Sequence, residues 1–234
     1  MPKNAIILFS GGLDSTTCLA IAQAQGFACY ALSFVYGQKQ VVEIERARII
    51  ARKYSVLEHK ILSLPLDQIK GSSLTDKNLA VPDYDGSEAI PTTYVPARNT
   101  LFLSFALAWG EVIGVHDIFL GANHRDYSGY PDCRPDYLKA FETMAKLATK
   151  VGVEGQSFQI HAPLLHMEKK AIICEGIRLG IDYSQTISCY RANAQGRACG
   201  TCDSCTYRKK GFVAAHVPDP TPYQRLSRRV GRNR

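Results

Sequence analysis

Ala5-Ile6-Ile7-Leu8-Phe9-Ser10-Gly11-Gly12-Leu13-Asp14-Ser15 is the stretch that decides the architecture. An apolar run breaks into Ser-Gly-Gly and resumes in a helical pattern, so the segment reads as strand, loop and helix. A helix that opens near Asp14 leaves its first N–H groups without internal partners. Its dipole adds partial positive charge at the same end. Gly11 and Gly12 let the backbone turn tightly and meet an anion with no Cβ in the way. Ser10 and Ser15 add hydroxyl donors. The loop formed by Phe9, Ser10, Gly11, Gly12, Leu13, Asp14 and Ser15 is therefore predicted to hold phosphate or pyrophosphate. No Gly-Lys-Ser/Thr follows it, so the lysine of the Walker pattern is missing.

Outward from this loop the chain alternates. Strands are predicted over residues 4–9, 29–35, 58–62, 117–120 and 158–160, and helices over 14–24, 41–54, 100–115, 137–151 and 168–179. This order predicts an α/β fold, a doubly wound parallel sheet with helices on both faces. Ligands bind such sheets outside the carboxyl ends of the strands, where the Ser10 loop lies. In the helix after the second strand, Ile44, Ala47, Ile49 and Ile50 form the apolar side, and Glu43, Glu45, Arg46, Arg48 and Arg52 the charged side. Residues 64–94 and 122–136 are long polar loops. Structureless segments of that length are usually functional or mobile.

The chain has 234 residues, enough for one large domain with a small appendage. No stretch approaches the roughly 20 apolar residues that span a bilayer. The N-terminus lacks the architecture of a signal peptide, so a cytoplasmic location is expected. The formal net charge is +7, and Arg225, Arg228, Arg229, Arg232 and Arg234 crowd the last ten positions. That tail reads either as a solvated terminus or as a nucleic-acid contact.

Eight cysteines in a cytoplasmic chain do not read as a disulfide framework. Cys18 and Cys174 fall in helical patterns and Cys29 in a strand pattern, where buried thiols are common. Cys133 sits in a polar loop. Cys189, Cys199, Cys202 and Cys205 follow the spacing C-x9-C-x2-C-x2-C. Four clustered thiolates suit tetrahedral, structural Zn²⁺. An iron–sulfur cluster is the alternative, although no fourth cysteine with proline follows the run. The predicted boundaries are 1–183 for the α/β domain, 184–215 for a small zinc-binding lobe packed on it, and 216–234 for the basic tail.

The phosphate loop resembles that of the N-type ATP pyrophosphatases, with their Rossmann-like, adenine nucleotide alpha hydrolase fold. Further segments narrow the resemblance: Tyr36-Gly37-Gln38, Val95-Pro96-Ala97-Arg98-Asn99, Gly121-Ala122-Asn123, Asp126-Tyr127-Ser128-Gly129-Tyr130-Pro131-Asp132-Cys133-Arg134 and Thr186-Ile187-Ser188-Cys189-Tyr190. With the four cysteines, this ordered set resembles the 7-cyano-7-deazaguanine synthase family of queuosine biosynthesis, from about residue 5 to residue 213.

The resemblance implies an ATP-dependent ligase. It implies ATP with Mg²⁺, 7-carboxy-7-deazaguanine and ammonia as partners, one structural zinc per chain, a homodimer, and no stable nucleic-acid or membrane partner. Ser10, Asp14, Lys169 and Arg98 become the expected catalytic residues. Tyr36, Gln38, Asn99, Asp126, Tyr130, Asp132 and Arg134 become the expected substrate contacts, with Asp132 on the guanine-like edge. Asp14 either helps carry Mg²⁺ or caps its helix. Asn99 likewise reads as a ligand contact or as an N-cap. Cys133 as a covalent nucleophile would need an activating neighbour. One departure is Gln40, where the family segment often carries histidine; glutamine keeps hydrogen bonding but cannot titrate. Two rival readings stand beside this one: a tRNA-modifying ATP pyrophosphatase, and a zinc-ribbon nucleic-acid binding protein without catalysis.

Overall fold

A computed structural model describes residues 2–39, 42–87, 89–123 and 130–225. Five strands, β1 (Asn4–Leu8), β2 (Ala28–Val35), β3 (His59–Ser63), β4 (Asp117–Leu120) and β5 (Gln159–His161), form one sheet in the order β3-β2-β1-β4-β5. Every pairing is parallel. Helices α1 (Leu13–Ala24), α2 (Val42–Lys53), α3 (Arg98–Ile113), α4 (Pro135–Ala148), α5 (Lys150–Val153), α6 (Lys169–Arg178) and α7 (Asp203–Ala214) accompany it. The chain winds outward from β1 to β3 and then returns to β4 on the other side. The carboxyl ends of β1 and β4 therefore flank the topological switch point, where such sheets open a crevice.

The strand sequences explain why both faces are covered. Ile6, Leu8, Leu32, Phe34, Ile118 and Leu120 point into one core with Leu103, Ala106, Leu107 and Trp109 of α3 and Leu138 and Phe141 of α4. Ala5, Ile7, Cys29, Ala31 and Phe119 point into a second core with α1, α2 and α6. A central parallel strand buried on both sides must be apolar throughout, as residues 5–9 are.

The predicted elements occur with small shifts, and three differences have physical causes. The single helix predicted over 137–151 is broken at Thr149, whose hydroxyl accepts from the Gly152 N–H at 3.1 Å and starts a new turn. Helix α3 begins two residues earlier than predicted, behind Ala97 in the left-handed region at φ 54°. Helix α7 was not predicted at all. Its buried Arg208 donates to the Tyr183 carbonyl at 2.9 Å and the Thr186 hydroxyl at 2.8 Å, and it pairs with Asp219 at 3.2 Å. A charged residue in the buried face hides the apolar stripe that marks a helix.

The long loop after β3 is tied down rather than loose. Ser72, Ser73 and Thr75 are buried, and Val81 joins the core. Arg191 donates to the Val81 carbonyl at 3.0 Å and pairs with Asp83, while the Tyr84 N–H reaches the Thr201 carbonyl at 2.9 Å. Cys18 and Cys29 are buried as predicted, but Cys174 is exposed on the outer side of α6.

Gly11 shows how tightly the phosphate loop is seated. Its φ is +76°, and a Cβ there would lie 2.7 Å from the Ala47 nitrogen and 2.9 Å from the Ala47 Cα of α2. Gly11→Ala combines left-handed strain with a clash against backbone. It should destabilise the fold by roughly 2–4 kcal/mol. Urea unfolding measures this directly, and a change below about 0.5 kcal/mol would show that the close approach is dispensable.

Candidate active site

The switch point holds a cavity of about 220 Å³. Its floor is the phosphate loop, with Phe9, Ser10, Gly12, Leu13, Asp14 and Ser15 in the wall. Gly11 faces α2 instead. The loop organises itself: the Ser10 N–H donates to the Ser15 hydroxyl at 3.2 Å, and the Gly12 N–H to the Ser10 hydroxyl at 3.3 Å. The first N–H of α1, from Leu13, is met across the cleft by Ser188 Oγ at 3.0 Å. Asp14 makes no cap bond of its own helix. Its two carboxylate oxygens instead accept from Lys169 Nζ at 2.7 and 3.0 Å. Lys169 is 7% exposed at the start of α6, whereas its neighbour Lys170 is exposed. Asn123, after β4, donates to the Met167 carbonyl at 2.8 Å and ties the strand end to the segment that delivers Lys169.

The opposite wall comes from α3 and the turn after β2. Arg98 is half-buried at the start of α3 and donates to the Tyr36 hydroxyl at 3.5 Å. Burial works against the guanidinium, but Tyr36, Tyr130, Tyr190 and Asp132 outweigh it and raise the pKa above the usual arginine value. The same setting pushes Tyr36 up, chiefly through burial, with Arg98 acting against it. Gln38 lines the cavity with its amide engaged locally: Oε1 accepts from the Tyr36 N–H at 2.6 Å and Nε2 donates to the Phe34 carbonyl at 3.1 Å. Tyr130 also lines the cavity, 3.0 Å from the Thr93 hydroxyl.

Two expected substrate contacts lie elsewhere. Asp132 is buried outside the cavity wall, and its Oδ2 accepts from the Asn99 N–H at 2.9 Å. Asn99 returns the contact, donating to the Asp132 carbonyl at 3.0 Å and to Cys133 Sγ at 3.3 Å. Asp132 thus serves the open N-terminus of α3, which no local side chain caps, and Asn99 is not the N-cap. Arg134 is exposed and donates to the Pro131 carbonyl at 3.2 Å. Asp126 and Gln40 lie outside the described residues. Cys133 lines the cavity, but burial pushes its thiol up to about 12, which leaves it inert as a nucleophile near neutrality.

The third wall was missed by sequence reasoning. Ile187, Ser188, Cys189 and Tyr190 roof the cavity. Cys189 belongs at once to that roof and to a group with Cys199, Cys202 and Cys205, whose sulfurs all lie within 4.8 Å of one another. Backbone N–H groups of Arg191 and Cys199 point at Cys189 Sγ from 3.2 and 3.1 Å, and those of Thr201 and Cys202 at Cys199 Sγ, both from 3.4 Å. Tetrahedral thiolates around a zinc-sized ion are separated by about 3.8 Å. The four sulfurs fit that arrangement and can hold a metal ion. Glu43 also escapes the sequence: it falls on the charged side of α2, yet it stands in the cavity wall.

A parallel sheet wound from β1, with a Ser-Gly-Gly loop feeding α1 at the switch point, defines a Rossmann-like class of doubly wound α/β proteins. The solved 4-thiouridine synthetase in complex with RNA and ATP shares this fold at a TM-score of 0.53 and 19% identity, covering 94% of this chain and 47% of that one. Within that class, the family model of the queuosine biosynthesis protein QueC matches residues 4–216, and the chain belongs to that family. A relative from Nitrosococcus oceani, named 7-cyano-7-deazaguanine synthase, is 61% identical over 222 residues, 95% of this chain and 98% of its own. One of the same name from Coxiella burnetii is 58% identical over 221 residues, 94% of this chain and 98% of its own. Among the described residues, no helix is long and apolar enough to cross a membrane.

Proposed function

We propose that the protein converts 7-carboxy-7-deazaguanine and ammonia to 7-cyano-7-deazaguanine, cleaving two ATP to AMP and pyrophosphate. The observation that carries this reading is the pairing of a phosphate loop and a cationic wall, Arg98, across a single cavity. Carboxylates and amides are poor electrophiles. Adenylation turns their oxygen into a leaving group, and the enzyme chiefly has to hold phosphates, align the reactants and exclude water.

In the first half, the substrate carboxylate attacks the α-phosphorus of ATP, pyrophosphate departs, and ammonia displaces AMP to leave an amide. In the second half, the amide oxygen attacks a second ATP, and loss of AMP leaves the nitrile. Ser10, Gly12, Leu13 and Ser15 cradle the phosphates. Lys169 steadies the departing pyrophosphate from behind Asp14. Arg98 orients the substrate carboxylate toward the loop. Tyr36 and Tyr130 offer faces for a deazaguanine ring. Mg²⁺ enters with ATP and screens phosphate charge, and the Asp14 carboxylate is a hard oxygen donor of the kind it takes. Zn²⁺ in the four-cysteine group is structural, because four thiolates leave it no open position. Free ammonium is the nitrogen source.

The expected result with purified protein, 7-carboxy-7-deazaguanine, ammonium and Mg²⁺-ATP is a nitrile product with two AMP formed for each, read by mass spectrometry. AMP production that needs tRNA instead would transfer the assignment to the rival, base-adenylating reading.

A further inference from the structure

Both halves of the proposed reaction release protons from nitrogen. When ammonia attacks the acyl-adenylate, a C–N bond forms, the C–O bond to AMP breaks, and the new ammonium centre sheds a proton. When the adenylated amide collapses, the second C–O bond breaks, and the nitrogen sheds its last two protons as the triple bond forms. A base placed in the cavity wall would take these protons and speed both steps.

We propose that Glu43 is the proton acceptor, a catalytic carboxylate at the start of α2 that faces the reacting carbon between Ser10 and Arg98. This rests on the reading above as a deazaguanine ligase. The cavity wall itself supports the choice. Among its described residues, the carboxylates are Asp14 and Glu43. Asp14 is held by Lys169 through both oxygens. Arg98 and Lys39 are cations. Tyr36 and Tyr130 are pushed further from neutrality by burial, as is Cys133. Cys189 is committed to the sulfur group. That leaves Glu43 as the carboxylate of the wall that Lys169 does not hold.

Burial raises the pKa of Glu43 from the usual carboxylate range to about 7, and Arg98 across the cavity and the Ser10 hydroxyl pull in the opposite direction. The groups that face it are Arg98 from α3, Tyr36 after β2 and Ser10 from the phosphate loop. A base poised near the operating pH both accepts a proton and releases it between half-reactions. The Ser10 hydroxyl links it to the phosphate loop.

The test uses the amide intermediate with Mg²⁺-ATP, which needs no ammonia, so the pH profile is free of ammonium titration. Glu43 must be ionised to act, so wild-type nitrile formation should rise with pH through about 7. Glu43→Gln should lower kcat by about 100-fold or more and lose that limb. The carboxylate-dependent exchange of labelled pyrophosphate into ATP involves no proton release from nitrogen. Glu43→Gln should lose far less of this exchange than of nitrile formation, and the remaining exchange also shows that the variant is folded. Nitrile formation by Glu43→Gln near the wild-type rate, or with the limb intact, overturns the proposal. So does parallel loss of exchange and nitrile formation, which would make Glu43 a support of the phosphate loop. Wild-type protein with neither exchange nor nitrile would instead overturn the ligase reading itself.

Discussion

With a structural zinc in the four-cysteine group, as proposed, removing the ion is expected to abolish turnover and to lower the melting temperature sharply. The reason is where Cys189 stands. Its sulfur belongs to the thiolate group, while its neighbours Ile187, Ser188 and Tyr190 roof the cavity. Ser188 also supplies the partner of the first N–H of α1. The same lobe fastens the loop after β3 through Arg191 and Thr201, and Leu74 of that loop lines the cavity. Freed thiolates would repel one another inside a buried pocket, so the roof, the helix end and the loop should all loosen together. Structural zinc sites contribute about 10–16 kcal/mol to the folding of small zinc fingers. If only ~4 kcal/mol of that applies here, the melting temperature falls by roughly 8–16 °C. Calorimetry with and without chelator, alongside a count of released zinc, checks this. Full stability and full turnover after removal of the ion would contradict the assigned role.

Lys169→Met should lower kcat by about 100- to 1000-fold, the usual loss when a fixed charge is withdrawn from a developing anion. Methionine is the informative replacement because the Lys169 stem is packed: a Cβ at Gly211 of α7 would lie 2.4 Å from Lys169 Cγ. Methionine fills that space while removing the ammonium. Some stability is lost as well, since Asp14 is left partly buried without its partner. Lys170→Met, on the exposed neighbour, should behave as wild type. The pyrophosphate–ATP exchange rate separates the two effects, because it reports the step at which pyrophosphate leaves. Exchange by Lys169→Met within about tenfold of wild type would remove Lys169 from that step.

The sheet and its winding were legible because strand and helix periodicities are local properties. Residues 5–9 announce a two-sided buried strand, and Ser10 to Ser15 announce a loop closing on a helix end. The four cysteines were legible as a ligand set from spacing alone. What escaped was long-range. Asp132 reads as a base-recognising carboxylate in a polar loop, yet it is spent on the N-terminus of α3, more than thirty positions away. Glu43 reads as one of several charges on the charged side of α2, and only the crossing of α2 over the phosphate loop turns it toward the cavity. Ser188 meets Leu13 across 175 positions, which no periodicity reports. Helix α7 was hidden by Arg208, whose buried guanidinium is legible only once Tyr183, Thr186 and Asp219 surround it.

The most direct measurement follows the two carboxylate oxygens of the substrate. With both labelled as oxygen-18, adenylation at each stage sends one labelled oxygen into each AMP. One label is expected in the phosphate of both AMP molecules, none in pyrophosphate, and none in the nitrile. Label found in water or in pyrophosphate, or ADP in place of AMP, would contradict adenylation in this cleft.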